Sequence, residues 1–275
     1  MGFAERLDQM LLEMAKGRHE DRWLMLQTAY TGASRREGLY HLPANADSRI
    51  ADIGCGFGAG ALEMAEHFGA EVRGFDQDAG RLAVADQLRL RFPDIGSRVQ
   101  FIAQDVTAYI PATPFDVLTA RFVLQYLPVQ QTLAHWRSWL NPGGSLYLEE
   151  VDDGWTVEYP PAPVAWQRVI DAYKHYAREN GWDRELGRKL AHHLVAAGYR
   201  LTRVQWNPRS ALSIEQDSDL QVRFERERLT SVRTTMVEMG LLTDDEFEEG
   251  LVQFEAAYPK MTFITGATIQ IWATV

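Results

Sequence analysis

The sequence predicts an α/β fold: a seven-stranded, mostly parallel, doubly wound sheet whose last strand is antiparallel, with helical segments at the N-terminus and near residues 210–260. Three observations carry that expectation. Short apolar strand patterns alternate with helical patterns from Arg49 to Val151, an order that builds βαβ units with helices on both faces of a sheet. A glycine-rich run, Asp52-Ile53-Gly54-Cys55-Gly56-Phe57-Gly58-Ala59-Gly60, follows the first strand pattern and opens a helix. The chain then ends as strand, helical segment, strand, which fits an antiparallel hairpin split by an insertion.

Taken in order, Leu7, Leu11 and Met14, then Trp23, Leu24 and Leu26, sit at helical spacing on either side of Gly17, so two helices are expected. Residues 31–48 read as a connection with a short helical piece. Strands are expected at Arg49–Ile53, Glu71–Phe75, Val99–Ala103, Phe115–Ala120 and Ser145–Val151. Helices are expected at Ala59–Phe68, Gly80–Arg91 (ended by Pro93) and Tyr126–Leu140. Pro163–Asn180 and Arg184–Ala197 read as helices, the second stopped by Gly198, and Leu201–Trp206 as a strand. Residues 213–258 read as helical, with a capping box at Thr243 and Glu246, before a strand at Thr262–Val275. The domain reading is a helical lid over residues 1–45 and a sheet domain over 46–275, with a helical cap inserted at about 210–260.

The formal net charge of −10 argues against a nucleic-acid partner, which needs a basic footprint. Arg223, Glu225, Arg226, Glu227 and Arg228 nearly cancel and read as a solvated helix face. Cys55 is the single cysteine, so no internal disulfide can form and a reducing compartment is expected. No run is long and apolar enough for a membrane span, and Glu5, Asp8 and Glu13 break any signal-peptide pattern. A cytoplasmic location follows. His192 and His193 are adjacent and point to different helix faces, and no metal-binding motif is present, so no metal is expected. Nothing in the sequence speaks to the oligomeric state.

Glycines after a strand let the backbone approach a ligand, and a helix N-terminus offers N–H groups to an anion. Gly54, Gly56 and Ala59 also satisfy the dinucleotide fingerprint, so an NAD(P)-dependent oxidoreductase stays open beside a methyl-donor enzyme. Asp76 ends the second strand, close to the ~20-residue offset at which an acid grips a ribose hydroxyl, and serves either reading. Asp105, ending the third strand in Phe101-Ile102-Ala103-Gln104-Asp105-Val106, favours the second, as an acceptor for an adenine amino group.

At these residues the chain resembles the class I S-adenosylmethionine-dependent methyltransferases, small-molecule type. Asp52, Gly54, Gly56 and Gly58 match the family's first motif. Its ribose-binding acid maps onto Asp76 and its adenine-contacting acid onto Asp105. The segment after its fourth strand resembles Ala120-Arg121-Phe122-Val123-Leu124-Gln125-Tyr126-Leu127, and its Pro-Gly-Gly turn maps onto Asn141-Pro142-Gly143-Gly144. The matches span roughly residues 49–151. The resemblance implies S-adenosylmethionine above the carboxyl ends of the first strands, leaving as S-adenosylhomocysteine, and an antiparallel seventh strand. The cofactor-binding set is then Asp52, Gly54, Cys55, Gly56, Gly58, Asp76, Gln77, Asp105, Val106, Arg121 and Gln125. A protein that keeps the site without turnover is a further alternative.

Methyl transfer from a sulfonium is an in-line displacement in which the protein chiefly supplies proximity and orientation. A general base is optional, so the catalytic residue is left unassigned, with Glu150 and His41 as candidates; His175 is not carried forward. Tyr30, Arg121, Glu150 and Trp155 are the acceptor-side candidates. Arg121 either holds a substrate carboxylate or pairs with Glu149 or Glu150. Tyr30, Tyr40 and Trp155 either wall the acceptor or simply pack. Glu150 and Asp152 end the fifth strand. Cys55 needs only to be small between its glycines. Met236, Met239 and Leu242 read as helix core or pocket lining. The expected partner is a small-molecule acceptor methylated on O, N or C, in metabolite or natural-product biosynthesis.

Overall fold

The computed structural model describes residues 2–17, 21–211, 218–261 and 263–275. Three helices come first: α1 (Phe3–Met14), α2 (Arg22–Tyr30) and α3 (Gly32–Leu39). Alternation follows with β1 (Arg49–Ile53), α4 (Ala59–Phe68), β2 (Glu71–Asp76), α5 (Ala79–Leu90), α6 (Pro93–Gly96) and β3 (Val99–Ala103). Next come β4 (Phe115–Arg121), α7 (Val129–Arg137), β5 (Leu140–Tyr159), α8 (Val164–Glu179), α9 (Leu186–Ala196) and β6 (Arg200–Ala211). The chain ends with α10 (Ser218–Thr230), α11 (Arg233–Glu238), α12 (Asp244–Ala257) and β7 (Phe263–Thr274).

The seven strands form one sheet in the order β3-β2-β1-β4-β5-β7-β6, six of them parallel and β7 antiparallel. β1 lies between β2 and β4, pairing in parallel with both. The chain therefore winds one way from β1 to β3 and the other way from β4 onward. That reversal opens a crevice at the carboxyl ends of β1 and β4, the place where open α/β sheets bind ligands.

The fold class expected from the sequence is the one observed, but several boundaries move. The helix expected at Tyr126–Leu140 is a 3₁₀ turn, Leu124–Tyr126, followed by α7. Pro128 takes the N-cap of α7, where its missing N–H costs nothing, and so divides the two. β5 is 20 residues long rather than seven. The stretch 213–258 is three helices; residues 213–217 of it, like Thr262, lie outside the described residues. The capping box is present: Glu246 N donates to Thr243 Oγ1 at 3.2 Å, and Thr243 N donates back to Glu246 Oε2 at 2.8 Å.

The chain divides into two compact units. The sheet unit comprises residues 34–152, 185–207 and 268–275; the helical unit comprises 1–33, 153–184 and 208–267. α3 thus lies almost wholly in the sheet unit, and the 1–45 segment is split. The reason is chemical. Arg35, in α3, forms a buried two-point ion pair with Glu63 of α4, at 2.5 and 2.7 Å. Gln270 Nε2 and Trp272 Nε1, on β7, donate to the α3 carbonyls of Ser34 and Gly38.

The core of the sheet unit gathers Phe75, Phe115, Trp136, Trp139 and the apolar faces of β1, β4 and β5. In the helical unit α8 and α12 pack closely, Trp166 stacking on Phe254 with ring centroids 3.9 Å apart. Gly250 makes that approach possible, since a Cβ there would lie 2.4 Å from Val169 Cγ2. Met236 and Leu242 join this core, whereas Met239 is exposed. One expectation is overturned in part. Within the run 223–228, Arg226 stays 39% exposed, but the Arg228 and Glu225 side chains are only 11% and 19% exposed, and the Arg228 guanidinium lies 4.2 Å from the Tyr173 ring centroid. Apolar and aromatic neighbours from α8 draw the pair inward, a contact that helical charge spacing does not reveal. No helix among the described residues is long and apolar enough to cross a membrane.

Candidate active site

The loop between β1 and α4 sits at the crevice. Gly54, Gly56 and Gly58 have φ of 64°, 53° and 76°, left-handed values that glycine adopts without penalty. Gly54 is also pressed against the loop after β4: a Cβ there would lie 2.3 Å from Val123 Cγ2. These constraints, not glycine's small size alone, set the alternating spacing.

Asp76, at the end of β2, is buried and ties the loop to the neighbouring strand. Its Oδ2 accepts from Gly56 N at 2.9 Å, and its Oδ1 accepts from Asp78 N at 3.0 Å. Cys55 N donates to the Phe75 carbonyl at 3.0 Å, which fixes the turn from the other side. The Cys55 thiol points inward, where a Cβ on Gly74 would meet Sγ at 2.8 Å. Burial, then the carboxylates of Asp52 and Asp76, push its pKa well up. It fills space and is a poor nucleophile.

Asp52 lies beneath the loop. Thr119 Oγ1, on β4, donates to its Oδ1 at 3.0 Å. Burial pushes its carboxyl up to about 6, against the opposing pull of the Thr119 hydrogen bond and of Arg121 and Arg35. Asp105, after β3, is exposed and makes a tight local turn: its Oδ1 accepts from Thr107 N at 2.9 Å and Thr107 Oγ1 at 2.6 Å. Those bonds hold its pKa below the usual range. Gln77 is exposed beside Asp76, whereas the Val106 side chain packs into the core and its carbonyl accepts from Trp136 Nε1 at 3.0 Å. Gln125 is buried within the 3₁₀ turn.

The segment after β4 is shaped by two adjacent acids of β5 that point to opposite faces of the sheet. Glu150 Oε1 accepts from Val123 N at 2.8 Å and Leu124 N at 2.7 Å, so it caps the 3₁₀ turn from below. Glu149, wholly buried, accepts four bonds. Ser34 and Thr268 hydroxyls reach Oε1 at 2.6 and 2.8 Å; Arg121 Nε and the Tyr147 hydroxyl reach Oε2 at 2.6 and 3.2 Å. Burial alone would raise its pKa; the Arg121 charge and the bonds from Arg121, Ser34 and Thr268 outweigh that and hold it at about 2. Between these acids Phe122 takes a left-handed φ of 60°. Its backbone is fixed by its N–H donating to the Glu149 carbonyl at 2.8 Å. Strain of this kind persists only where the surroundings over-determine it.

Of the residues singled out in the sequence, the structure gathers Asp52, the glycine loop, Asp76, Arg121 and Glu150 around the carboxyl ends of β1, β2 and β4 and the middle of β5. His41 is not among them: it packs edge-on to Trp272, 5.3 Å between centroids. Trp272 is on β7, its ring 5.1 Å from that of Tyr147 on β5. Tyr40 packs on His67. Tyr30 and Trp155 belong to the helical unit, Tyr30 stacked on Phe224 with centroids 5.9 Å apart and Trp155 exposed on the extension of β5. Asp152 is bound by Arg188 at 2.6 Å. Glu149 is one of the two acids expected to pair with Arg121, and it is the one that does; Thr119, Ser34 and Thr268 escaped sequence reading.

A seven-stranded sheet of this order, with a left-handed glycine loop after β1 and an acid closing β2, defines the class I methyltransferase fold. Residues 50–144 match the family described as "Methyltransferase domain", and that domain is of the class I S-adenosylmethionine-dependent type. S-adenosylmethionine is the cofactor that this domain match supports. The chain is 35% identical over 105 residues to trans-aconitate 2-methyltransferase of Streptomyces avermitilis, covering 37% of this chain and 38% of that protein. It is 28% identical over 139 residues to phosphoethanolamine N-methyltransferase 1 of Arabidopsis thaliana, covering 49% of this chain and 25% of that protein. It therefore spans well under half the length of these relatives in alignment. The fold is shared with phosphoethanolamine N-methyltransferase 2 of Haemonchus contortus, solved with S-adenosyl-L-methionine, at a TM-score of 0.55 and 18% identity, covering 88% of this chain and 52% of that one.

Proposed function

We propose that this protein transfers a methyl group from S-adenosylmethionine to a small-molecule acceptor at O, N or C, and that the acceptor carries an acidic group. The observation that carries the transfer is the Gly54–Gly58 loop, held open in left-handed conformation and locked to β2 by the Asp76–Gly56 hydrogen bond. The residues present fit the cofactor. Asp76 already accepts from backbone on both oxygens, and a carboxylate oxygen has a further lone pair for a ribose hydroxyl. To the exposed Asp105 we assign an adenine amino group.

The cofactor, when bound, supplies an activated methyl group on a sulfonium. The chain's own residues have to orient the acceptor and keep water out. Glu149 is no base, because its lone pairs are spent and its pKa is low. Glu150 holds backbone rather than substrate on Oε1. Arg121 retains a resource: its Nη2 is buried and bonds to no atom among the described residues. We assign it to an acceptor carboxylate or phosphoryl oxygen. The named acceptors of the two relatives, trans-aconitate and phosphoethanolamine, both bear such groups.

Calorimetric titration with S-adenosylhomocysteine, with NADH and NADPH in parallel, tests the reading. Micromolar binding of the thioether alone, about −8 kcal/mol, is expected. Binding of a nicotinamide cofactor instead would overturn it.

A further inference from the structure

The helical unit contains a buried guanidinium whose hydrogen-bonding edge is only partly used. Arg228, on α10, gives Nε and Nη2 to Glu225 Oε2 at 3.1 and 2.5 Å. Its Nη1 is buried and bonds to no atom among the described residues. The neighbouring acids are committed elsewhere. Arg184 holds Asp153 through both carboxylate oxygens, at 2.7 and 3.0 Å, and Glu158 Oε2 accepts from Ala162 N at 3.2 Å.

A second cation shares the same ring. The Arg184 guanidinium lies 5.5 Å from the Tyr173 centroid, and that of Arg228 lies 4.2 Å from it. Arg228 is also 5.8 Å from the Phe224 centroid. An aromatic face attracts a cation but accepts nothing from N–H groups in the guanidinium plane. Each guanidinium has one carboxylate, Glu225 for Arg228 and Asp153 for Arg184, and neither supplies an acceptor to Arg228 Nη1. An oxyanion at that edge would supply it, by charge-assisted hydrogen bonds.

We propose that Arg228 Nη1, with Arg184 beside it, is the recognition element of an oxyanion-binding site in the helical unit, taking a carboxylate or phosphoryl group of a small molecule. The proposal concerns the helical unit alone and does not depend on how the methyl acceptor is held. Its chemistry is the planar fork of arginine: lysine keeps the charge but cannot present the same paired N–H geometry.

The test is calorimetric titration of the full chain with inorganic phosphate and with citrate, at constant ionic strength. Saturable binding of either is expected; which of the two binds assigns the site to phosphoryl or carboxylate groups. Arg228→Lys should weaken that binding by about tenfold, and Arg228→Gln should abolish it. Arg233→Gln, which removes an arginine paired with Asp244 and Glu248 in the same unit, should leave it unchanged. Should Arg228→Gln fail to fold, the wild-type guanidinium resonance of Arg228, followed by ¹⁵N NMR during the titration, gives the answer: it should shift with saturation. No saturable binding of either anion, full binding by Arg228→Gln, or an unmoved Arg228 resonance overturns the proposal.

Discussion

Arg121 donates Nε–H to Glu149 Oε2 at 2.6 Å, and the carboxylate that receives it is completely buried. The two residues face each other in register on adjacent parallel strands. Each end is tied further: Glu149 to α3 through Ser34 and to β7 through Thr268, Arg121 to the Phe122 ring at 4.9 Å. The pair is where three sequence-distant segments of the sheet unit meet.

Removing the acid should therefore cost more than an ordinary core substitution. Glu149→Ala leaves a buried guanidinium and three hydroxyls without their acceptor. A destabilisation of about 3–5 kcal/mol is expected, measured by urea unfolding at neutral pH. Glu149→Gln should cost less, because its carbonyl still accepts, but its amide must face donors. The pH dependence has a definite sign. The folded pKa, about 2, lies below the unfolded value near 4.5. Glu149's contribution is thus present above pH ~4.5 and lost as pH falls toward 2.

Asp52 should behave in the opposite way. Its folded pKa, about 6, lies above the unfolded value of 3.8, so its ionisation in the folded state is costly. That cost is full above pH ~6 and disappears as pH falls to ~4. Between pH 7 and pH 5 the wild type should gain stability from this group, and Asp52→Asn should flatten that segment of the profile. Unfolding midpoints of the two proteins at half-unit pH steps test this; parallel profiles would remove Asp52 as the source.

Asp76→Ala should weaken S-adenosylhomocysteine binding by at least about tenfold, losing a charge-assisted contact and the brace on Gly56 together. Asp105→Ala should weaken it less, since an exposed carboxylate is worth less than a buried one. Titration calorimetry gives both numbers. Equal affinity for wild type and Asp76→Ala would place the ribose elsewhere.

These residues differ in how far sequence alone exposes them. The glycine loop and Asp76 were legible because the chemistry fixes short-range spacing: left-handed residues at alternate positions and an acid at the end of the next strand. Glu149 was legible only as one of two partners for Arg121, since its donors Ser34 and Thr268 come from positions that sequence spacing does not bring together. His41 shows the complementary case: a titratable side chain just before the first strand in sequence packs on Trp272 of the last strand in space. Arg228 shows a further limit, because balanced charges on a helix give no sign of which face an aromatic neighbour will bury.

The glycine loop offers a comparison within one protein. Gly54 and Gly143 both have positive φ, 64° and 77°. A Cβ on Gly143 would meet nothing within 4 Å, whereas one on Gly54 would lie 2.3 Å from Val123 Cγ2. Gly143→Ala should thus pay only the left-handed penalty of about 1–2 kcal/mol and leave cofactor binding intact. Gly54→Ala pays the same penalty and must also push back the loop that Glu150 holds through Val123 N and Leu124 N. Because that loop cannot yield without breaking those bonds, Gly54→Ala should be the less stable variant by about 1–3 kcal/mol. It should also bind S-adenosylhomocysteine at least tenfold more weakly. Equal stability of the two variants would show that the Val123 contact yields freely and that the Gly54 position tolerates a side chain.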